Sequence, residues 1–291
     1  MIEKRDDAAP WASVIPPSDV LVCLLTDTID AAAIDAAGPD LRLIANVAVG
    51  YNNIDLAAAR ARGVIVTNTP GVLTNATAEF TWALILAVTR RLTEGERLLR
   101  SGRWRGWALD LLTGMELSGK QLGIIGAGRI GRAVAAKAGA FGMRVAFAAR
   151  DRRRDPIDGH AVVSLDELLV RSDVVSLHVP LTDETRHLIG RKALTRMRRT
   201  AYLVNTSRGP VVDEAALVWA LHERLIAGAA LDVYEREPEV HPGLLELDQV
   251  VLQPHTASAT RETRTAMAEL AVRNVAAVLA GDPPVTPVPE P

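Results

Sequence analysis

The segment from Lys120 to Arg150 constrains the fold of this 291-residue chain more than any other. It begins with Leu122 to Ile125, a short apolar run of the kind that forms a buried parallel strand. The pattern Gly126-Ala127-Gly128-Arg129-Ile130-Gly131 follows, then an alanine-rich helical stretch and a second apolar run, Met143 to Ala148. This order predicts a βαβ unit with glycines at its first turn.

The glycines have separate physical roles in such a unit. Gly126 permits the tight turn, Gly128 lets the backbone approach a pyrophosphate, and Gly131 lets the helix pack closely on the strand. The N-terminus of the helix offers unpaired N–H groups and a partial positive charge to phosphates. A GxGxxG also occurs in turns that bind nothing, but its place between strand and helix predicts a dinucleotide site.

Composition excludes several other classes of function. The formal net charge of −2 gives no indication of a nucleic-acid partner or an acidic membrane surface. No apolar run reaches membrane-spanning length, and the charged start MIEKRDDAAP does not resemble a signal peptide. The single cysteine, Cys23, cannot form an internal disulfide. We therefore expect a soluble cytoplasmic protein without a metal site.

Strands and helices alternate along the rest of the chain. We predict strands at 19–25, 41–49 and 64–68, one long helix from near 75 to about 100, and further strands at 174–178, 201–205, 228–232 and 250–252. Such alternation is typical of an α/β fold with a doubly wound parallel sheet.

Ligands of open parallel sheets bind outside the carboxyl ends of the strands. The polar residues that follow the predicted strands are Arg150, His178, Ser207 with Arg208, Asp232 with Glu237, and His255. Taken alone, such an arginine more often forms a salt bridge, and such a histidine is more often a satisfied core or surface residue. Together, however, His255 and Glu237 can form a proton-transfer pair, and Arg208 can bind a carboxylate bidentately.

Six stretches carry a family resemblance: VAVGYNNIDLAAARARGVIVTNTPGVLTNATAEFTWALILA, LGIIGAGRIG, LHVPLTDETRHLI, LVNTSRGPVVDEAAL, AALDVYEREP and PHTASAT. Through them the chain resembles the D-isomer-specific 2-hydroxyacid dehydrogenases, particularly the glyoxylate and hydroxypyruvate reductases, from about Val20 onward. The resemblance implies two Rossmann-like or flavodoxin-like domains. Residues 1–76 and 259–291 would form a smaller, discontinuous substrate domain, and 77–258 the dinucleotide-binding domain, with closure over the substrate.

The resemblance also implies roles for individual residues. Arg208 would bind the carboxylate and C2 oxygen of a small 2-oxo acid, and backbone N–H groups of Val49 and Gly50 would hold the same carboxylate. His255 would protonate the nascent alkoxide, and Glu237 would orient His255 and stabilise its charged form. The reaction would transfer hydride from nicotinamide to the carbonyl carbon of glyoxylate or hydroxypyruvate, giving the D-2-hydroxy acid.

The expected cofactor contacts come from the glycine turn and from strand ends, with Asp232 on the nicotinamide side. They are Gly126, Gly128, Arg129, Ile130, Gly131, Arg150, Pro180, Thr206, Asp232 and His255. An enzyme that prefers NAD carries a carboxylate at the end of the second strand, where this chain has Ala149, followed by Arg150 and three more arginines at 152–154. We therefore predict a preference for NADP(H), with NAD(H) possible.

Three further expectations follow from the resemblance. The segment Trp104–Trp107 would contribute to a homodimer interface. Family members have a strand and a helix before the equivalent of Val20, where this sequence has a short polar segment. The smaller domain would therefore be shortened at its N-terminus and its sheet would have an open edge, or the true start of the chain would lie earlier. The alternatives are another activity of the family, such as phosphoglycerate or phosphite dehydrogenase, or a non-catalytic nucleotide-sensing scaffold. Formate dehydrogenases pair the histidine with Gln, so Glu237 argues against that activity.

Overall fold

A computed structural model of the chain describes residues 11–149 and 155–289. The chain divides into two compact units, Met1–Leu73 with Thr260–Pro291 and Thr74–Ala259, which we call the smaller and the larger unit. The divisions therefore fall at 73/74 and 259/260, beside the 76/77 and 258/259 expected from the sequence.

The larger unit is built on a seven-stranded sheet in which every neighbouring pair is parallel. Its strands are β4 (Gln121–Ile125), β5 (Arg144–Ala148), β6 (Ala161–Val162), β7 (Val174–Leu177), β8 (Tyr202–Asn205), β9 (Gly228–Leu231) and β10 (Val250–Leu252). The strand order is β10-β9-β8-β7-β4-β5-β6. From β4 the chain adds strands first on one side of the sheet and then, from β7, on the other side. The switch point of this doubly wound sheet therefore lies between β4 and β7. The predicted fold class is confirmed.

Helices cover both faces of this sheet, and the residues beneath them are almost all apolar. The helices are α3 (Thr74–Thr89), α4 (Leu92–Arg100), α5 (Arg129–Ala138), α6 (Leu165–Arg171), α7 (Arg191–Arg196), α8 (Glu214–His222) and α9 (Pro242–Leu245). On one face, α3 packs against α5 and against β8, β9 and β10. The indole of Trp82 stacks on Phe141 and donates to the carbonyl of Val134 at 3.0 Å, which ties α3 to α5.

The prediction of one long helix from about 75 to 100 is wrong. The helix is interrupted before Arg91, whose φ of 54° is left-handed. The carbonyl of Thr89 accepts the N–H of Met115 at 2.8 Å, and a Cβ on Gly114 would lie 2.2 Å from that carbonyl. The Thr89 carbonyl, which would accept an N–H group of the next turn in a continuing helix, is therefore bonded to a segment distant in the chain.

The smaller unit has a three-stranded parallel sheet, covered on both faces by helices. Its elements are β1 (Val20–Cys23), α1 (Ala31–Ala36), β2 (Leu43–Asn46), α2 (Leu56–Ala61), β3 (Ile65–Thr67) and α10 (Arg261–Ala280). Successive residues of β2 point to opposite faces. Ile44 packs with α1 and α2, while Leu43 and Ala45 pack with Val278 of α10.

The two edges of the smaller sheet differ. The C-terminal tail pairs antiparallel with β3, through a bridge between Thr67 and Pro287 and a 2.8 Å bond from the Val288 N–H to the Val66 carbonyl. The sequence did not predict this pairing, because the Pro-rich composition of the tail does not indicate a strand. At the other edge lies β1, where Val22 is 62% exposed. The open edge expected from the resemblance stays a prediction. No helix in the described part of the chain is both long enough and apolar enough to cross a bilayer.

Candidate functional site

The glycine turn lies between β4 and α5, next to the switch point. Gly126 has a φ of 103°, and a Cβ there would lie 2.6 Å from the carbonyl of His178, which follows β7. A Cβ on Gly131 would lie 2.1 Å from the carbonyl of Gly126. These two glycines are therefore required by the protein's own packing, as the sequence predicted.

Gly128 differs from the other two, because no atom of the described residues lies within 4 Å of the Cβ it lacks. It is the exposed N-cap of α5, and among the described residues no hydrogen bond from the first turn of that helix to a side chain is found. The first N–H groups of α5 and the open space above Gly128 therefore fit a pyrophosphate. Arg129 and Ile130 lie in this first turn, with Arg129 exposed and Ile130 half-buried.

This contrast gives a prediction for two glycine-to-alanine variants. Gly128→Ala should fold with the stability of the parent chain, yet bind a nicotinamide dinucleotide roughly tenfold more weakly, because its methyl group fills space that the pyrophosphate needs. Gly131→Ala should lower the melting temperature, because overpacking against backbone costs about 1–3 kcal/mol. Calorimetry and fluorescence titration would separate the two effects. A destabilised Gly128→Ala with unchanged affinity would contradict this assignment.

Three polar side chains meet at the carboxyl ends of β8, β9 and β10, which are neighbours in the sheet. Arg208 follows β8, Glu237 lies in the loop after β9, and His255 follows β10. Nδ1 of His255 lies 2.7 Å from Oε2 of Glu237, and within the described residues no hydrogen bond of the other ring nitrogen, Nε2, is found. Arg208 is half-buried, and its Nη1 donates to the carbonyl of Ser207 at 2.7 Å.

The charges in this cluster stabilise one another. Burial acts to raise the pKa of Glu237, but the hydrogen bond from His255 and the charges of His255 and Arg208 outweigh it, so the pKa lies below its ordinary value. Burial lowers the pKa of the Arg208 guanidinium, and the charge of Glu237 opposes that shift. The site therefore holds an ionised carboxylate between an arginine and a histidine, which suits binding of an anion beside a proton donor.

Asp232 has a role that the sequence did not reveal. It is 0% exposed, and its carboxylate accepts the backbone N–H groups of Thr256 at 2.7 Å and Ala257 at 2.9 Å. The carbonyl of Asp232 also accepts the N–H of His255 at 2.8 Å. Burial raises the pKa of Asp232, and the two backbone hydrogen bonds act in the opposite direction. Asp232 thus anchors the loop that carries His255, while its contact with nicotinamide stays a prediction.

Asn205, the last residue of β8, organises the loop that carries Arg208. Its side chain is fully buried. Oδ1 accepts from the Ser207 N–H at 3.0 Å and from the Ser207 hydroxyl at 2.8 Å, and Nδ2 donates to the Arg208 carbonyl at 2.9 Å. An asparagine that closes a turn in this way is recognisable in sequence only once the strand end is known.

The other predicted cofactor residues lie at or near the same edge of the sheet. The Thr206 hydroxyl is 2.9 Å from that of Thr81 in α3, and the carbonyl of Pro180, after β7, accepts the Thr185 hydroxyl at 2.7 Å. Contacts of Thr206 and Pro180 with a cofactor stay predictions. Arg150 lies outside the described residues.

His178 is the second histidine at a strand end, and it does not have the properties of a proton donor. Its Nε2 lies 2.9 Å from the Ser176 hydroxyl, and burial lowers its pKa to about 3. The ring is therefore neutral at physiological pH. Among the described residues, no group of three or more His, Cys, Asp and Glu side chains is placed to bind a metal ion.

In the smaller unit, Val49 and Gly50 follow β2, and the backbone around them is held in a particular orientation. The carbonyl of Ala48 accepts the Thr69 N–H at 2.9 Å, and the carbonyl of Val49 accepts the Asn68 side-chain amide at 2.7 Å. In a trans peptide the N–H points away from the carbonyl of the same unit. The N–H groups of Val49 and Gly50 therefore point away from these partners, as binding to an external carboxylate requires.

Comparison with known proteins agrees with this geometry. Residues 82–257 match the family described as D-isomer specific 2-hydroxyacid dehydrogenase, NAD binding domain. The glyoxylate reductase of Thermofilum pendens is 53% identical over 276 residues, which are 93% of this chain and 81% of that protein. A crystal structure of a Thermus thermophilus protein has a TM-score of 0.89 at 48% identity, covering 96% of this chain and 88% of the other. The NADPH-dependent glyoxylate/hydroxypyruvate reductase of Sinorhizobium meliloti, in complex with NADP and malonate, has a TM-score of 0.84 at 39% identity, covering 92% and 82%.

Proposed function

Because the chain belongs to the D-isomer specific 2-hydroxyacid dehydrogenase family, we propose that it reduces glyoxylate and hydroxypyruvate, the latter to the D-2-hydroxy acid. The observation that carries the proposal is the 2.7 Å contact between His255, after β10, and Glu237, after β9. Strand β9 is also the neighbour of β8, which leads to Arg208. A nicotinamide cofactor supplies the hydride when bound, and the open N-terminus of α5 fits its pyrophosphate.

The residues of this chain supply binding, orientation and a proton. The Arg208 guanidinium binds the substrate carboxylate and stabilises negative charge on the C2 oxygen. Nε2 of His255 donates a proton to that oxygen, and the Glu237 carboxylate stabilises the charged imidazolium through Nδ1. In the oxidative direction His255 accepts the proton. We also assign Val49 and Gly50 to the substrate carboxylate, and Thr206, Pro180 and Asp232 to the cofactor.

We further propose that NADP(H) is preferred over NAD(H). The proposal is supported by Ala149 at the end of β5, where an NAD site would place a carboxylate, and by the adjacent Arg150. We expect a higher kcat/KM with NADPH than with NADH, and Arg150→Ala should narrow the difference. Glyoxylate reduction measured with both cofactors tests this, and a clear NADH preference would refute it.

The substrate proposal is tested by the product. Glyoxylate, hydroxypyruvate, pyruvate and phosphohydroxypyruvate should be compared by kcat/KM, with chiral chromatography of the products. We expect glyoxylate and hydroxypyruvate to have the highest kcat/KM, and we expect D-glycerate to be the only product from hydroxypyruvate. If phosphohydroxypyruvate had the highest kcat/KM, the phosphoglycerate dehydrogenase alternative would be supported instead. That alternative, like the sensing scaffold, is not favoured, because the relatives from Thermofilum pendens and Sinorhizobium meliloti are named glyoxylate and glyoxylate/hydroxypyruvate reductases.

A homodimer is proposed from an exposed apolar segment in the larger unit. Trp104 is 49% exposed, and Trp107 and Leu109 are each 83% exposed, which is typical of an interface rather than of a monomer surface. Light scattering should give the mass of two chains for the parent and of one chain for Trp107→Glu. Leu245→Glu, an exposed leucine of α9, is the matched control and should remain dimeric. A monomeric parent would refute the proposal.

A further inference from the structure

We propose that Tyr234 is a positioning residue that holds Arg208, Glu237 and His255 in their relative places. The inference rests on the proposed function, in which those three side chains act on the substrate. Tyr234 follows β9, which lies in the sheet between β8, the strand before Arg208, and β10, the strand before His255. It therefore occupies a central position from which one residue can contact both neighbouring loops.

The backbone of Tyr234 contacts Glu237 and Gly209, the residue after Arg208. Its N–H donates to Oε1 of Glu237 at 3.0 Å, while Oε2 of the same carboxylate faces His255. Its carbonyl packs against Gly209, where a Cβ would lie only 1.7 Å from the carbonyl oxygen. Arg208 is thus followed by a residue that packs directly against the backbone of Tyr234.

The side chain of Tyr234 contacts Gln253 in the loop that carries His255. Its hydroxyl donates to the carbonyl of Gln253 at 2.9 Å, and the same carbonyl accepts the N–H of His255 at 3.1 Å. His255 has a φ of 53°, in the left-handed region that residues other than glycine rarely adopt. The phenol therefore stabilises the turn that holds His255 in an unusual conformation.

The surroundings of the phenol make this contact persistent. Tyr234 is 6% exposed and belongs to the apolar core of the larger unit. Burial raises the pKa of its hydroxyl to about 12, so the hydroxyl remains a hydrogen-bond donor at neutral pH. Removing the hydroxyl would leave the Gln253 carbonyl still bonded to His255, so the fold should tolerate the change.

Tyr234→Phe tests the proposal, because it keeps the ring and all backbone contacts. We expect kcat for 2-oxo acid reduction to fall on the order of tenfold, because His255 is less well placed, while cofactor affinity is unchanged. The pH above which the rate of reduction declines should also differ between Tyr234→Phe and the parent. Tyr202→Phe is the matched control, since Tyr202 begins β8 at the opposite end of the strands and should keep parent kinetics. A residue with a merely structural role would lower the melting temperature without changing kcat or the pH profile.

A second readout does not depend on turnover. Long-range ¹H–¹⁵N spectra report the tautomer of each histidine ring, and His255→Asn assigns the signal of His255. We expect one tautomer with Nδ1–H on Glu237 in the parent and an average of both tautomers in Tyr234→Phe. Unchanged ring signals and unchanged kinetics in Tyr234→Phe would overturn the inference. A parent chain that reduces no 2-oxo acid would overturn the proposed function, while the ring spectra would still decide the role of Tyr234.

Discussion

Arg208→Ala is expected to lower kcat/KM for glyoxylate roughly 10³-fold, a loss in the range seen when a charge-stabilising donor is removed from an active site. KM should rise, because the substrate carboxylate loses its cationic partner in the ground state. The kcat should also fall, because the C2 oxygen gains negative charge only as the reaction proceeds.

Arg208→Lys separates charge from geometry. Lysine keeps the positive charge but cannot present the planar fork that binds a carboxylate bidentately, so we expect a loss of roughly 10²-fold. Arg199→Ala is the control, because Arg199 is an exposed arginine that precedes β8, at the other end of the same strand. Cofactor titration should give parent affinity for all three variants. Parent-like kcat/KM in Arg208→Lys would show that a positive charge alone is sufficient.

His255→Asn is expected to lower kcat roughly 10³-fold while cofactor binding persists, since a positioned general acid contributes on the order of 10² to 10⁴. The neutral His178, whose pKa is lowered to about 3 by burial, cannot replace it. His178→Asn should therefore retain far more activity than His255→Asn. Steady-state kinetics of both purified variants, with their melting temperatures, would test this. Equal losses in the two variants would contradict the assignment of the proton donor.

Glu237→Gln should change the pH dependence as well as the rate. The folded pKa of Glu237 is depressed, so the carboxylate is ionised at neutral pH and its interaction with His255 is lost only as pH falls through that low value. Glutamine has no charge to stabilise the imidazolium. Reduction should therefore decline at a lower pH than in the parent, with kcat lowered even at the optimum. A pH profile that coincides with the parent's would argue against a charge role for Glu237.

Much of this site could be predicted from the sequence, because its signals are local. The glycine turn is contiguous, and the reasons for Gly126 and Gly131 hold in the structure. Arg208 and His255 each follow a short apolar strand, and the parallel order of those strands brings their carboxyl ends to one edge. The rule that ligands bind at the carboxyl ends of parallel strands therefore predicted the positions of Arg208 and His255 without any knowledge of side-chain contacts.

The remaining features depend on contacts between residues distant in the chain. Asp232 was expected on the nicotinamide side, but its carboxylate accepts N–H groups 24 and 25 positions away. The break before Arg91 depends on the N–H of Met115, and no local breaker such as proline marks it. The link from Tyr234 to Gln253 spans 19 positions and leaves no motif in the sequence. In each case tertiary hydrogen bonds determined the structure, and local propensity did not.

The most direct test of the central claim is the oxidation of NADPH on addition of glyoxylate to the purified chain, measured beside His255→Asn. We predict sustained turnover by the parent and loss of nearly all of it in the variant, with both proteins folded and both binding NADPH. The contradicting result would be a folded parent that binds NADPH and reduces neither glyoxylate nor hydroxypyruvate.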